Sequence, residues 1–469
     1  MRTSNRLLDS RASAGFVLVA VVIAGIAAAS CSDVTVEADG VASDASTVDD
    51  ASVGDADTAD LDAGSPSVPR PDAATSDAGP RPVACVSASC ATALVLSTPP
   101  VEGRRGGFCA LLEDKTVACW GENVESQLGQ GADAGMEPSA VPRRVVGLKD
   151  IRYLASGCAI DGEGATWCWG EGPFLRSTTS AFTTEATPVK LPIPPATRVS
   201  VQSYYPAGIG GQYVGGCALT ESGVLCWGMN QTGLAQFPDP NLHGTTPLPP
   251  RLIPELSGLA IQELVVGRAA FALRSDGTVL SWGVNTTLAR VSSLYPDPHP
   301  FPTALGRGVS MIDVVDESAC AVVQGLAYCW GGSPYVTSGP PDVTGGALPR
   351  YVPTPEPVVD IATTSSSVVR MEDTPIARRA CAVGVSGDVY CWGRNAYGEA
   401  GDGTRQFAYQ PVKVVGLPAP ASRVKVSSTA TCALLTNGKI YCWGNNVSGQ
   451  LGNGRMKEPS VTPQEVLLP

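Results

Sequence analysis

The sequence predicts an all-β fold, a seven-bladed β-propeller closed by its C-terminal strand joining the first blade. Three observations carry this. First, one stretch recurs seven times between residues 109 and 444, each copy ending in Trp-Gly, at Trp120, Trp169, Trp227, Trp282, Trp330, Trp392 and Trp443. Second, each copy reads as a β-hairpin with room for two more short strands, and four strands per unit over seven units is a propeller pattern. Third, the chain ends look complementary: the first hairpin has one candidate strand before it, near 91–96, while 461–468 looks like a strand with no hairpin after it. Placing that last strand in the first blade would leave no open edge.

The hairpin is clearest in the last copy, 432–444, where alternating residues flank Thr436-Asn437-Gly438. A type I turn followed by a left-handed Gly438 makes a three-residue loop. That register sets Leu435 opposite Lys439 and Cys432 opposite Cys442. Facing residues of an antiparallel pair lie ~4.5–5.5 Å apart at Cα, and a disulfide needs ~4.4–6.8 Å, so a cross-strand bridge fits. The fourth copy is an internal control. It holds Phe271 and Ser281 at the two cysteine positions, so both partners are missing together. The pairing then reads Cys109–Cys119, Cys158–Cys168, Cys217–Cys226, Cys320–Cys329, Cys381–Cys391 and Cys432–Cys442, with Cys85–Cys90 as a seventh bridge. Of fifteen cysteines only Cys31 is left over. This arithmetic implies an oxidising compartment.

Before the hairpins, residues 1–30 read as a signal peptide, with Arg2, Arg6 and Arg11 followed by an apolar run from Gly15 to Ala29. Ala28-Ala29-Ser30-Cys31 resembles the lipobox of bacterial lipoproteins. That resemblance implies a lipidated Cys31 as the mature N-terminus, and Ser32 after it favours the outer membrane of a bacterial cell envelope, facing the periplasm or the surface. An ordinary secretory signal is the alternative. Residues 31–84 read as a disordered linker of Ala, Asp, Ser, Thr, Gly and Pro. They hold twelve acids against two bases, which is −10 of the chain's −12. These acids lack the spacing and turn glycine of a calcium loop. The propeller is assigned to 85–469. Its near-neutral balance gives no footprint for nucleic acid.

Within that body, an inner strand precedes each hairpin, at 148–154, 198–204, 261–266, 309–315, 358–362 and 423–426 after the first. A Pro-and-Val stretch lies upstream of these, at 141–146, 188–191, 249–253, 302–305, 352–358 and 411–415. Trp443-Gly444-Asn445-Asn446-Val447-Ser448-Gly449-Gln450-Leu451-Gly452-Asn453-Gly454 resembles the repeat of the regulator of chromosome condensation family, and the stretches 120–131 and 392–403 match it too. The resemblance covers about 91–469 and implies a seven-bladed propeller. There are departures. The family often has a His just before the hairpin, whereas this chain has only His243 and His299, in loops. The second and fifth repeats lose the Gly-Gln-Leu-Gly tail. The Trp residues are expected to pack between blades, with Trp167 off-pattern and open to exposure.

Chemistry is harder to find. Two histidines cannot furnish a repeated acid–base site, no Ser/His/Asp arrangement is visible, and the cysteines pair instead of holding metal. No cofactor is expected. The Gly-rich tails lack the Lys-Ser/Thr of a phosphate loop. What remains is a surface. Loops between the inner strand and the hairpin should gather at one face, bringing Arg104, Arg105, Tyr204, Tyr205, Tyr213, Arg268, Asp316, Glu317, Arg378 and Arg379 together. Arg and Tyr are enriched at binding hot spots. Members of the resembled family mostly bind proteins. Nucleotide exchange on a small GTPase and β-lactamase inhibition, both known there, do not map onto this chain. The reading is therefore a non-catalytic, monomeric envelope lipoprotein, anchored to the membrane by lipid, whose propeller face binds a protein or glycan. Two alternatives remain: an enzyme acting on envelope polysaccharide through Asp316 and Glu317, or a purely structural module. The insertions at 171–197, 229–258 and 331–357 are long for connections, which suggests function or disorder.

Overall fold

The computed structural model describes residues 78–85, 89–98, 106–177, 180, 182–204, 213–229, 233–235, 247–331, 348–364 and 379–469. They form seven four-stranded antiparallel sheets arranged as a seven-bladed propeller. The inner strands are Ala91–Leu96, Ile151–Ala155, Ala196–Tyr204, Ile261–Val266, Val309–Val315, Val358–Thr363 and Ala421–Val426. We number the blades in that order.

The hairpins follow the expected register. Cys432 faces Cys442, and Leu435 N–H donates to Lys439 O at 2.9 Å across a turn whose Gly438 has φ +78°. Seven disulfides are formed: six cross-strand bridges with Cα separations of 4.0–4.1 Å, and Cys85–Cys90 at 5.6 Å. In blade 4, Phe271 faces Ser281 in the same register. Phe271 packs edge-on against Trp330, and Ser281 Oγ donates to Leu288 O at 2.6 Å.

The closure differs from the expectation. The last strand, Ser460–Glu465, does not join blade 1. It pairs with Ile440–Gly444, Gln464 facing Cys442, and completes blade 7. Blade 1 already has its own outer strand, Ser139–Arg144, with Arg143 facing Cys119. Each outer strand therefore follows its hairpin. A Pro-and-Val stretch lies between two hairpins in sequence, and spacing alone cannot assign it to either. The ladder decides it, because each outer strand pairs with the hairpin it follows. The outer strands also begin earlier than expected, as in Asp297–Pro302 of blade 4 and Arg350–Val352 of blade 5.

With every blade contiguous, the ring is held by packing between blades. Seven apolar clusters occupy the seven seams, one of them joining blade 7 to blade 1 through Leu434, Ile440, Leu451, Phe108 and Trp120. The tryptophans add a directional link. Each indole N–H described below reaches a carbonyl in the tail of the preceding blade: Trp169 to Gln127, Trp227 to Pro173, Trp282 to Leu234, Trp330 to Thr287 and Trp443 to Glu399, at 2.7–3.0 Å. Trp120 closes the circle on Gln450 O at 3.0 Å. Trp392 Nε1 has no partner among the described residues, and the tail that would precede it, 332–347, lies outside them.

This contact explains the Gly-Gln-Leu-Gly tail. Its second glycine takes positive φ, and a Cβ there would stand 2.9 Å from Trp120 Nε1 at Gly452 and 2.6 Å from Trp443 Nε1 at Gly401. Only glycine lets the tail carbonyl approach the indole so closely. Trp167, the off-pattern tryptophan, is half-buried and donates to Asp161 Oδ2 at 2.8 Å.

A short N-terminal segment also crosses the seam. Arg81 Nη2 donates to Val385 O at 2.9 Å, Ala84 N to Thr436 O at 2.8 Å, and Ala91 N to Gly438 O at 2.9 Å. Arg81 and Ala84 are thus docked on the ring, although both lie inside the stretch expected to be linker.

Candidate functional site

The inner-strand loops and the tails lie at one end of the ring. In blade 6, Gly393 faces both Arg379 at the start of the hairpin and Ala408 at the start of the outer strand. The whole tail between them must stay at that end. Blades 1 and 7 repeat this, Gly121 facing Gly107 and Ser139, and Gly444 facing Ala430 and Ser460.

Of the residues expected at this face, Cys31, Arg104, Arg105, Tyr205 and Arg378 lie outside the described residues. Tyr204 and Tyr213 face each other across the two innermost strands of blade 3. Arg268, Asp316 and Glu317 come together between blades 4 and 5. Arg268 Nε lies 2.8 Å from Asp316 Oδ1, and Arg268 Nη1 contacts Glu317 Oε1. Arg268 N–H also donates to Asp316 O at 3.2 Å. Asp316 is buried, at φ +52°. Burial pushes its carboxyl up to about 7; Arg268 opposes this, and the Glu317 charge adds to it. Both carboxylates are thus drawn onto one guanidinium across the seam.

Arg379 was expected on the surface and is not there. It is 1% exposed. Its Nη2 donates to Ser427 O at 2.7 Å and to Ala430 O at 3.0 Å in blade 7, and its Nη1 lies 3.5 Å from Glu399 Oε1. Burial draws the guanidinium down to about 10, opposed by Glu399. The register explains the burial. Arg379 occupies the position of Gly107 in blade 1 and Ala430 in blade 7, a seam position filled elsewhere by small residues. Glu399 in turn replaces the tail glutamine, Gln127 or Gln450. The two departures are complementary, a signal that comparing the repeats position by position could have found.

A second charged array lines the central channel and escaped the sequence reading. Inner-strand residues that face matching hairpin positions form two layers. One contains Ala93, Tyr153, Arg198, Glu263, Met311, Asp360 and Arg423. The next contains Val95, Ala155, Ser200, Val265, Asp313, Ala362 and Lys425. Glu263 accepts from Tyr153 OH at 2.9 Å, Leu264 N at 3.2 Å and Arg198 Nε at 3.2 Å. Asp360 accepts from Val424 N at 2.8 Å and Arg423 Nη1 at 3.2 Å. Asp313 accepts from Thr363 N at 2.9 Å and Lys425 Nζ at 3.3 Å. Burial raises the Asp360 carboxyl, against the pull of Arg423 and Lys425. Alternation along a strand places such side chains at i and i+2 on one face, but sequence alone does not show that this face looks into a cavity.

The fold and this seam architecture define a seven-bladed propeller of tail-linked repeats. The regulator of chromosome condensation (RCC1) repeat matches residues 386–434 and 437–469, and a second description of that repeat matches 422–450. Over 362 residues the chain is 26% identical to the ultraviolet-B receptor UVR8 of Arabidopsis thaliana, covering 74% of this chain and 76% of the receptor. It is also 26% identical over 360 residues to the human E3 ubiquitin-protein ligase HERC2, covering 71% of this chain but only 7% of that protein. Among solved structures, human WBSCR16 aligns with a TM-score of 0.57 at 20% identity, over 76% of this chain and 94% of the other. Prp20p of Saccharomyces cerevisiae, studied for binding to Gsp1p and histones, aligns at 0.55 and 21%, over 74% and 85%.

Proposed function

We propose that the protein is a non-catalytic binding propeller, held in a bacterial cell envelope by a lipid on Cys31, and that its tail-loop end takes a protein partner. One observation carries this reading. Many of the exposed large apolar side chains sit in the tails at that end: Val124, Met136, Val291, Leu294, Tyr295, Tyr397 and Met456, with Val291 78% and Tyr295 71% exposed. Val291, Leu294 and Tyr295 fall within five residues of one tail, and exposed apolar groups clustered in this way mark interaction sites. Arg394 lies over the Tyr397 ring at 5.9 Å, an Arg–Tyr pairing suited to a contact surface. Among the described residues, Arg268, Asp316, Glu317 and Arg379, first expected to bind, are instead tied into the seams.

The structures of similar fold support binding as the role, since Prp20p was studied for binding to Gsp1p and histones. Crosslinking and mass spectrometry on cells carrying a tagged copy tests the reading. A saturable partner lost in a Tyr295→Ala, Tyr397→Ala variant supports it, and the absence of any saturable partner sinks it. The anchor is tested separately: Cys31→Ser should release the chain from the membrane fraction.

A further inference from the structure

The channel holds a cavity of about 360 Å³, lined by inner-strand residues from all seven blades. Its size is at the small end of ligand pockets, which run from roughly 300 to 1,000 Å³. Its hydrogen-bonding balance is uneven. Among the described residues, each oxygen of Glu263, Asp313 and Asp360 already accepts at least one hydrogen bond. The donors are not so fully engaged. Arg423 directs a single N–H to Asp360, and Lys425 a single N–H to Asp313. Gln202 lines the same cavity, is 4% exposed, and its Nε2 has no partner among the described residues. A buried donor without an acceptor carries a free-energy penalty that an incoming acceptor relieves.

The walls have a second character. Val95, Ala155 and Val265 present small apolar side chains in the layer that carries Lys425. Arg423 and Lys425 lie two residues apart on one strand, so both side chains take the same face and converge on the cavity. We propose that this cavity binds a small organic carboxylate, its anionic end on Arg423 and Lys425 and its apolar body against blades 1, 2 and 4. A cation is disfavoured because the carboxylate oxygens are already engaged. A neutral alcohol of the same shape satisfies fewer of the waiting donors.

Calorimetric titration of the full chain with benzoate, benzyl alcohol and benzylammonium tests this. Benzoate is expected to bind saturably and the other two not. Arg423→Gln alone would strand the buried Asp360, so the informative variant is Arg423→Gln with Asp360→Asn. It should weaken benzoate binding roughly tenfold or more, the loss of one charge-assisted hydrogen bond, and Lys425→Gln should do the same. Benzylammonium binding as tightly as benzoate, no saturable benzoate binding in the millimolar range, or unchanged affinity in both folded variants would each overturn the proposal.

Discussion

Trp120 donates its indole N–H to the carbonyl of Gln450, 3.0 Å away, although 330 residues separate them in the chain. This contact repeats the link made at five other seams, and here it joins the first blade to the last. Among the described residues the seam has no strand contributed from the other end of the chain, so side-chain packing, tail carbonyls and the docked residues Arg81, Ala84 and Ala91 hold it. Trp443→Phe should therefore destabilise the ring. It keeps an aromatic ring in the buried site but removes the Nε1–H bond to Glu399 O, 2.8 Å away. The expected loss is at least about 1 kcal/mol, the net value of a hydrogen bond whose acceptor is left buried. Urea denaturation measures it, and no loss would mean the indole link is incidental.

The Arg379–Glu399 pair gives a sharper test. Arg379→Ala leaves the Glu399 carboxylate buried without its cation, at a cost of about 3–5 kcal/mol. Blade 7 solves the same position with Ala430 and Gln450. Arg379→Ala with Glu399→Gln should therefore recover most of the loss, because it installs an arrangement the fold already uses. If the double variant is no better than the single one, the pair is not a coupled substitution.

Much of the ring was legible in the sequence because its signals are local. Trp-Gly, the hairpin turn and the paired cysteines all fall within about a dozen residues, so repetition exposed them. The joint loss of both cysteines at Phe271 and Ser281 made the bridges readable. The outer strands were misassigned because each lies between two hairpins and periodicity has no direction. Arg379 misled for a different reason. An arginine in a loop reads as solvated, but Arg379 stands where its neighbours have glycine or alanine, and that seam is closed on both sides. The channel charges were invisible because inner strands alternate like any other, and only closure of the ring turns one of their faces onto a cavity.

Asp316 predicts a pH dependence. Its folded carboxyl sits at about 7, above the ~3.9 of an unfolded chain. Between those values the folded state holds the proton more tightly. The stability this contributes is complete below the unfolded value and is lost as the pH climbs through about 7. Other carboxyls act in the opposite sense: Asp297, buried but held down by Ser292 and Arg290, contributes stability that is lost on acidification. The comparison that isolates Asp316 is wild type against Asp316→Asn. From pH 5 to pH 8 the wild-type urea midpoint should fall relative to that of the variant. Parallel profiles would mean that Arg268 keeps Asp316 ionised throughout.

Blade 4 allows the bridge and the core to be weighed against each other. Phe271 and Ser281 face each other in the register that the other blades use for disulfides. Phe271→Cys with Ser281→Cys should therefore form a bridge on oxidation, contributing about 2–3 kcal/mol through a short loop. The same change removes a buried phenylalanine packed against Trp330 at 6.0 Å, which costs about 3–5 kcal/mol. It also removes the Ser281 hydroxyl bond to Leu288 O. The core loss is the larger effect, so the bridged variant should be less stable than wild type while showing no free thiol at either position. Reduction should then destabilise it further, which separates the two contributions in one denaturation series. A bridged variant more stable than wild type would show that Phe271 fills its space poorly and that blade 4 lacks its disulfide for no reason of packing.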